Sequence, residues 1–425
     1  MSYIYLPTRQ RLRYQSLSIL FLTDDYLPLS TRNHAKMMHE LALKFSSLKH
    51  KVVVLTPGHF NQKGFLLIEM IEGVEVWRFR SISFRSKGKF FRAVGEMLMP
   101  FLALTALLIS QKVKFLNFDL VVNYSPSIFF APVARYFKKK KSFIFLVLRD
   151  FFPQWAVDQG LLANRSPITW FFRQVEKLNY RSSNAIAVQS PANLNVFKRI
   201  YSGQVDLKVL MNWSEQSPYT TKQSFDKYRL RKELNIPSDK IILFYGGNIG
   251  HAQDMANIVR LAKSLYSCEK AHLVLVGQGD EYEMVEEAII QYQLRNLTLM
   301  PSVSQDKYRE YVASADIGLF SLSKTHTAHN FPGKLLGYMV ERKPILGSVN
   351  LGNDVASILL DSKSGLVSFN GDDDQFLADA LSLINNESLR NEMGLNAYAL
   401  LKNTFSVDKA YQVIYDSYLA THSEL

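Results

Sequence analysis

The chain has 425 residues, 47% of them hydrophobic and 21% charged, a balance that excludes disordered and collagen-like chains. Its formal net charge of +12 favours an anionic partner, such as nucleic acid, a membrane surface or a phosphorylated substrate. Cys268 is its one cysteine, which excludes an internal disulfide and a metal site built from cysteines.

The first half of the chain alternates short apolar runs with segments long enough for a helix. LSILFLT predicts a buried strand, and the spacing of Met37, Leu41 and Phe45 predicts a helix over residues 33–48. Further strands are predicted for KVVVLTPG, VEVWRF, FDLVVNYS, SFIFLVL, AIAVQS and LKVLMN. This alternation is typical of an α/β fold with a parallel sheet and helices on both faces.

A polar stretch without periodicity, NWSEQSPYTTKQSFD, predicts a linker before a second half of the same kind. Alternation restarts with IILFYGG, AHLVLVGQGD, LTLMPS, DIGLFSL and KPILGSV, and helical segments follow. The pattern predicts two facing Rossmann-like domains with the ligand in a central cleft, at the carboxyl ends of the strands. The predicted parts are a basic extension (residues 1–16), an N-terminal domain (17–211), the linker (212–226) and a C-terminal domain (227–403). A C-terminal helix (404–425) is predicted to pack back on the N-terminal domain.

Three strand–turn–helix elements of the second half have features of phosphate-binding loops. GGNIG, residues 246–250, would let backbone N–H groups approach an anion, although a tight turn without a ligand has the same sequence. GQGD, residues 277–280, follows a strand in the same way but lacks a complete G-x-G-x-x-G pattern. NFPGKLLGYM places Pro332 and Lys334 in a first helical turn, where they form an anion site or an ordinary solvated helix start.

Charged pairs follow two predicted strands of the first half. Arg149 and Asp150 follow FIFLVL, where they hold a phosphate and a sugar hydroxyl or form a structural ion pair. Asp24 and Asp25 follow the first strand at an equivalent edge of the sheet, next to the predicted cleft, so they are candidates for contact with a ligand.

No metal site is predicted. His251, His326 and His329 lack metal-binding spacing, and the acidic run 372–374 suits the start of a surface helix.

The segment 85–141 predicts contact with an anionic membrane surface. Its apolar part, LMPFLALTALLI, is shorter than the roughly 20 residues that cross a bilayer, so no transmembrane helix is expected. Lysines and arginines flank it, and Lys138–Lys141 follow, a pattern of interfacial helices or of a buried helix with solvated lysines.

These motifs resemble those of the family-4 retaining glycosyltransferases, which have the GT-B fold. FYGGNIGHAQDM, VGQGDE and FPGKLLGYMVERKPILG are similar to the family's first phosphate loop, second glycine turn and donor-binding helix. LRDFFPQW resembles a segment of the N-terminal domain that lines the cleft, and NWSE resembles the hinge. The resemblance covers nearly the whole chain and implies an acceptor-binding N-terminal domain and a nucleotide-sugar-binding C-terminal domain.

A bacterial subgroup, the N-acetyl-L-fucosamine transferases of O-antigen and capsule assembly, is most similar. DDYLPLSTRNHAKMMHELA, YSPSIFF, LRDFFPQWAVDQG, GGNIGHAQDMANI and HNFPGKLLGYM carry this resemblance. It implies retaining transfer of N-acetyl-L-fucosamine from UDP to a sugar on undecaprenyl diphosphate. It also implies a cytoplasmic protein, peripheral on the inner membrane face, that needs neither a metal nor another cofactor. Nucleic acid is not expected as a partner, because the basic residues lack an interleaved stacking platform or a known motif.

The resemblance assigns three groups of residues. Lys334, Arg149 and Asp150 would act in catalysis, with Arg149 reaching from the opposite domain. The implied donor-binding residues are Gly247, Asn248, Gln253, Gly277, Gly279, Asp280, Glu281, His329, Asn330, Phe331, Pro332, Gly333 and Leu335. The implied acceptor-binding residues are Asp24, Asp25, Ser30, Thr31, Tyr124 and Ser125.

The chain departs from the broader family at its charged donor contacts. Asn248 and Gln253 stand where the family usually has arginine and lysine, so more charge neutralisation is expected from Lys334. His329 and Gly337 stand where it often has two glutamates, the second of which holds the nucleotide ribose. Two competing interpretations stay open. A UDP-sugar 2-epimerase of GT-B fold shares the two-domain plan and the nucleotide, and a non-catalytic sugar-nucleotide-binding subunit would fit His329 and Gly337.

Overall fold

The computed structural model describes most of the chain in nine segments. They are residues 16–30, 33–81, 89–110, 117–125, 127–158, 160–215, 217–222, 225–324 and 331–422. The described residues form two compact units, one within Met1–Met211 and Val407–Leu425 and the other within Asn212–Ser406. Of the predicted site residues, Thr31, His329 and Asn330 lie outside the described segments.

The first unit alternates strands and helices along the chain. Its elements are β1 Ser18–Leu22, α1 Asn33–Ser47, β2 Lys51–Pro57, β3 Leu66–Ile71, β4 Val74–Phe79, α2 Lys89–Ile109, β5 Leu120–Ser125, a 3₁₀ turn Ile128–Phe130, α3 Ala131–Lys139, β6 Phe143–Leu148, α4 Gln154–Asp158, α5 Pro167–Ser182, β7 Ala185–Val188, α6 Pro191–Ile200, β8 Asp206–Val209 and the last helix, α15 Val407–His422. Ser166 and Ser190 each precede a proline and cap α5 and α6, because their hydroxyls accept the N–H three residues on.

The described strands of the first unit form one sheet in the order β3-β4-β2-β1-β5-β6-β7-β8. Each neighbouring pair is parallel except the β3–β4 hairpin, which the sequence analysis did not predict. Every residue of β5 and β6 is buried, as expected for parallel strands covered on both faces. Chain order reverses at β1, and such a point places a crevice at the carboxyl ends of β1 and β5.

The second unit repeats this plan with a smaller sheet. Its elements are a 3₁₀ turn Tyr219–Thr221, α7 Arg229–Glu233, β9 Ile241–Asn248, a 3₁₀ turn His251–Gln253, α8 Met255–Ser264, β10 Ala271–Gln278, α9 Tyr282–Gln291, β11 Leu297–Pro301, α10 Gln305–Ser314, β12 Ile317–Ser321, α11 Gly333–Val340, β13 Ile345–Val349, α12 Asp354–Asp361, β14 Gly365–Phe369, α13 Asp373–Asn385 and α14 Glu387–Thr404. The sheet order is β11-β10-β9-β12-β13-β14, all parallel, so chain order reverses at β9. The predicted α/β class is confirmed.

The polar segment before β9 packs on the second unit. The Tyr219 backbone N–H donates to the Glu341 carboxylate, and the Tyr219 side chain is buried. Ser214 pairs with Ser406 through backbone contacts.

The last helix belongs to the first unit. Tyr411 of α15 packs edge-on against Phe45 at 4.7 Å, and its hydroxyl lies 3.4 Å from His50 Nε2.

Within the described segments, no helix is both long and apolar enough to cross a bilayer.

Candidate active site

The glycine loop at the end of β9 is held in place by tyrosines. Tyr245 is buried in β9, and its hydroxyl donates to the Asn248 carbonyl at the end of the loop. The Gly246 backbone N–H donates to the Tyr338 hydroxyl at 3.3 Å. Gly247 has a φ of +118°, a conformation that a residue with a side chain rarely adopts. The loop therefore exposes a defined stretch of backbone at the carboxyl edge of the sheet.

Lys334, in the first turn of α11, points its ammonium at this loop. Its Nζ lies 3.6 Å from the centre of the Tyr245 ring and 3.7 Å from where a Cβ on Gly247 would stand. The Nζ is buried and has no hydrogen-bond partner among the described residues. Burial lowers the pKa of Lys334 to about 7. The Tyr245 ring face partly offsets the lost hydration, and an anion beside the loop would supply the missing partner.

The second glycine turn, residues 277–280, packs its backbone closely against the glycine loop 246–250. A Cβ on Gly277 would lie 1.8 Å from the Gly247 carbonyl oxygen, and one on Gly279 would lie 2.2 Å from the Ile249 carbonyl oxygen. The Ile249 N–H donates to the Gln278 carbonyl at 3.0 Å. Gly277 and Gly279 are thus required by the close approach of two backbone segments, a role that the sequence analysis had not assigned to them.

Glu281 fastens the start of α8, whereas Asp280 stays open to solvent. The Glu281 carboxylate accepts from the Met255 N–H at 2.8 Å and lies 2.8 Å from His251 Nδ1. Asp280 lies 3.3 Å from His251 Nε2. The hydrogen bond to the Glu281 carboxylate and the charge of Asp280 raise the pKa of His251. Asp280 therefore has the carboxylate more accessible to a ligand hydroxyl.

The remaining predicted donor contacts are of two kinds. Asn248 Nδ2 donates to Gln253 Oε1 at 2.6 Å at the exposed mouth of the loop. Pro332 caps α11, and Gly333 is exposed at its first position. Phe331 and Leu335 instead have buried side chains, and Phe331 stacks on Phe405 at 4.3 Å. From these two, a ligand would reach only the backbone.

In the first unit, a polar cluster lies where β1 and β5 end. Ser30 donates to the Asp25 carboxylate at 2.7 Å, and His34 Nε2 lies 3.7 Å from the same oxygen. The His34 ring stacks on Tyr124 at 5.9 Å between ring centres. Asp25, Ser30 and Tyr124 are therefore brought together through His34.

Tyr124 also neighbours the charged residues at the end of β6. Burial raises the pKa of Tyr124 to about 12; Arg149 opposes this rise by charge and hydrogen bond, while Asp24 and Asp150 add to it. Burial also raises the pKa of Asp150, and the charge of Arg149 partly offsets that effect.

Two groups of this first-unit cluster keep unused hydrogen-bonding capacity. Arg149 Nη1 is buried without a hydrogen-bond partner in the described part of the chain. The buried Ser125 Oγ also has none there, although the Ser125 carbonyl accepts from the Arg149 N–H at 3.1 Å.

Three residues of these sites escaped the sequence analysis. Tyr245 and Tyr338 shape the seat of Lys334, and His34 joins Asp25 to Tyr124. Two features of the sequence could have indicated the tyrosines: Tyr245 directly precedes the glycine loop, and Tyr338 lies one helical turn after Lys334. Within the described segments, no group of three or more His, Cys, Asp or Glu side chains could hold a metal ion.

The second unit is similar in sequence to known glycosyl transferases. Residues 226–400 match the family described as glycosyl transferases group 1. Over 124 residues the chain is 31% identical to the putative colanic acid biosynthesis glycosyl transferase WcaI of Escherichia coli, covering 29% of this chain and 30% of that protein. Over 217 residues it is 23% identical to the probable glycosyltransferase WbjE of Pseudomonas aeruginosa, a match that covers 50% of this chain and 53% of that protein. The matches span between 30% and 61% of the lengths of these curated relatives.

Solved structures share the whole fold. Sucrose-phosphate synthase of Thermosynechococcus elongatus matches with a TM-score of 0.68 at 13% identity, over 96% of this chain and 100% of that one. Anabaena HepE, solved in complex with UDP-glucose, matches with a TM-score of 0.63 at 14% identity, again over 96% and 100%. The chain therefore has the fold of GT-B glycosyltransferases, as the resemblance implied.

The packing of the glycine turns predicts opposite effects for two glycine-to-alanine substitutions. Gly277→Ala should lower the free energy of unfolding by about 1–3 kcal/mol or more, because its Cβ would collide with the Gly247 carbonyl. Gly337→Ala is the matched control: apart from its own helix, the described residues place no atom within 4 Å of its Cβ position, and alanine in a helix should raise that free energy by up to about 1 kcal/mol. Urea unfolding measures both, and equal stability of the two variants would contradict the described packing.

The buried ammonium predicts that Lys334→Met stabilises the folded chain. Methionine removes an unpartnered buried charge, so the free energy of unfolding at neutral pH should rise by about 1–3 kcal/mol. The folded-state pKa of about 7 lies below the ordinary 10.5, so the cost of the charge is complete below pH 7 and disappears as pH rises toward 10.5. The advantage of the variant should shrink over that range.

Lys263→Met is the control for this substitution. Lys263 also lies over a tyrosine, 3.7 Å from the Tyr292 ring, but it is exposed on α8. Its substitution should shift stability little at any pH in the range. A Lys334→Met protein that is less stable than wild type at neutral pH would contradict the assignment of a costly buried charge.

Proposed function

We propose that this protein is a glycosyltransferase that uses a UDP-activated sugar as its donor. The observation that carries the proposal is the buried ammonium of Lys334, which has no hydrogen-bond partner in the described part of the chain and faces the Gly247 loop from the first turn of α11. A diphosphate would supply the counter-charge that this site lacks, and the backbone N–H groups at the start of α11 would add donors. The group 1 family match over residues 226–400 supports the same reading.

The proposed chemistry is transfer with retention of the anomeric configuration and without a metal. As the bond between the sugar and the diphosphate breaks, negative charge grows on the leaving diphosphate and the sugar becomes oxocarbenium-like. Lys334 and the helix start stabilise that growing charge, and Asn248 and Gln253 donate hydrogen bonds at the mouth of the loop. The leaving phosphate oxygen then accepts the proton of the attacking hydroxyl, so the protein itself needs no general base.

The polar cluster of the first unit is the proposed acceptor site. Arg149 borders this site and would act in catalysis, because its Nη1 is a buried donor without a partner among the described residues and would hydrogen-bond to a phosphate oxygen. Asp25 and Asp150 would accept hydrogen bonds from sugar hydroxyls, and the Tyr124 side chain would pack against the sugar ring.

The finer assignment rests on the subgroup resemblance. We propose N-acetyl-L-fucosamine as the transferred sugar and a sugar on undecaprenyl diphosphate as the acceptor, in O-antigen or capsule assembly. The similar protein WcaI of Escherichia coli is named for colanic acid biosynthesis, and this supports a role in bacterial sugar assembly. The same reading makes the protein peripheral on the inner face of the cytoplasmic membrane.

A transfer assay tests the function. UDP-N-acetyl-L-fucosamine and a synthetic GlcNAc-diphospho-lipid are incubated with the full chain and a chelator, and the anomer of the product is read by NMR. An α-linked disaccharide-lipid with UDP release is expected. Conversion of the donor without acceptor would favour a 2-epimerase, and tight UDP binding without turnover over a panel of donors and acceptors would favour a non-catalytic subunit.

Lys334→Ala tests the residue on which the mechanism depends. Loss of a charge contact costs about 1.5–3 kcal/mol, so kcat/KM should fall by at least about tenfold. Lys263→Ala serves as the matched control and should retain wild-type kinetics, because Lys263 lies on the exposed side of α8. Wild-type kcat/KM in Lys334→Ala would rule out the assigned role.

A further inference from the structure

Three helices of the first unit lie together on one side of its sheet and form what we call the α2–α3–α5 face. The 3₁₀ turn Ile128–Phe130 packs against both α2 and α5, and α3 packs between these two helices. Lys138 at the end of α3 donates to the Arg181 and Ser183 carbonyls at the end of α5. The face is therefore a continuous surface.

Helix α2 is apolar on its outer side as well as its inner side. Met99, Ala103 and Ala106 are buried against the core. The opposite side carries exposed apolar side chains at helical spacing: Leu98, Phe101, Leu108 and Ile109. Phe101 keeps 64% of its surface exposed, which a helix that faced only water would not favour.

The first turns of α5 add a second group of exposed apolar side chains. Trp170 is 64% exposed, and Ile168 and Phe171 are exposed beside it. Their neighbour Phe172 points inward and packs on Phe129 at 6.1 Å and Phe152 at 5.0 Å. Trp170 and Phe171 thus project from a rigidly packed helix end, and tryptophan is enriched at membrane–water interfaces.

The exposed charges on this face are basic. Arg135 and Lys139 of α3 and Lys177 and Arg181 of α5 are exposed. Lys140 and Lys141, exposed too, continue the basic end of α3.

The acidic side chains of the same helices are withdrawn from solvent. Among the described residues of these helices, the acidic ones are Glu96 and Glu176, both half-buried. Burial raises the pKa of Glu176 to about 7, so it opposes the basic charge only partly at neutral pH.

We propose that the α2–α3–α5 face docks on the surface of an anionic lipid bilayer, with Trp170, Phe171 and Phe101 entering the interface and the lysines and arginines contacting lipid phosphates. Apolar anchors combined with exposed basic residues match this partner, because insertion and electrostatic attraction then act together. An acidic protein surface would pair with the basic residues of this face, but it would not account for the exposed apolar side chains of α2.

The placement of the anchors connects docking to the acceptor site. Phe152 follows Arg149 and Asp150 in the chain and stacks on Phe172, one residue from Phe171. A bilayer at the start of α5 would therefore lie next to the end of β6, where a lipid-linked acceptor is expected. This link rests on the proposed function, whereas docking itself does not.

Vesicle co-sedimentation of the full chain tests the proposal. Wild-type protein should bind vesicles of phosphatidylcholine with phosphatidylglycerol and should bind vesicles of phosphatidylcholine alone much more weakly. Trp170→Ser combined with Phe171→Ser should weaken binding to the anionic vesicles by at least about tenfold, since two large apolar side chains then no longer leave water on docking. Lys139→Ser, Lys140→Ser and Lys141→Ser together should weaken it by at least about tenfold at low salt and by less at high salt.

Matched controls come from the second unit. Ile290→Ser with Leu395→Ser removes two exposed apolar side chains, and Lys227→Ser, Lys270→Ser and Arg295→Ser removes three exposed basic ones. Both should bind vesicles as wild type does. Equal weakening by the control and test variants would overturn the proposal, as would wild-type protein that stays unbound to anionic vesicles.

Two parallel measurements separate this proposal from its alternatives. The first is the oligomeric state. If wild type forms a concentration-dependent dimer that the serine variants abolish, and wild type does not bind vesicles, then the face is a contact between copies of the chain and the proposal is wrong. UDP binding is measured on every variant and should stay unchanged. Vesicle binding without UDP binding would uphold the docking face while contradicting the proposed function.

Discussion

The second unit's site depends on a lysine ammonium that is buried without a hydrogen-bond partner or counter-ion among the described residues. Lys334 is kept between the Tyr245 ring and the Gly247 loop, where its charge is costly in the absence of a ligand. Tyr245 and Tyr338 fasten the loop, and Gly277 lets the neighbouring turn approach it closely. The buried charge lowers the stability of the fold, and the packing around it holds the charge at the edge of the sheet.

The first unit repeats this arrangement with an arginine. Arg149 follows β6 as the glycine loop follows β9, and it too keeps a buried donor without a partner among the described residues. Parallel strands explain the recurrence, because their carboxyl ends meet at one edge where loops can be polar while the strands stay apolar. In the second unit the glycine loop ends β9, where chain order reverses, and in the first unit Arg149 follows β6, the strand next to β5.

Much of this arrangement could be predicted from the sequence, because buried parallel strands are uninterrupted apolar runs and the loops after them carry glycine or charge. The β3–β4 hairpin and β14 were missed, since LLIEMI is half-exposed and GLVSF is short. The burial of Lys334 could not be foreseen, because it depends on Tyr245 from a distant strand. Likewise, local sequence gave no sign that Glu281 would cap α8 or that His34 would join Asp25 to Tyr124.

We propose that the buried ammonium of Lys334 binds a diphosphate. A titration of the Lys334 amine tests this proposal most directly. The Nζ of Lys334 would be titrated by NMR on lysine-labelled protein, with Lys334→Met used to assign the signal, in the absence and presence of UDP. We expect a pKa near 7 in the free protein and a rise of at least about two units with UDP, because a bound phosphate favours the charged amine. A pKa near the ordinary 10.5 in the free protein, or one that UDP leaves unchanged, would contradict the account.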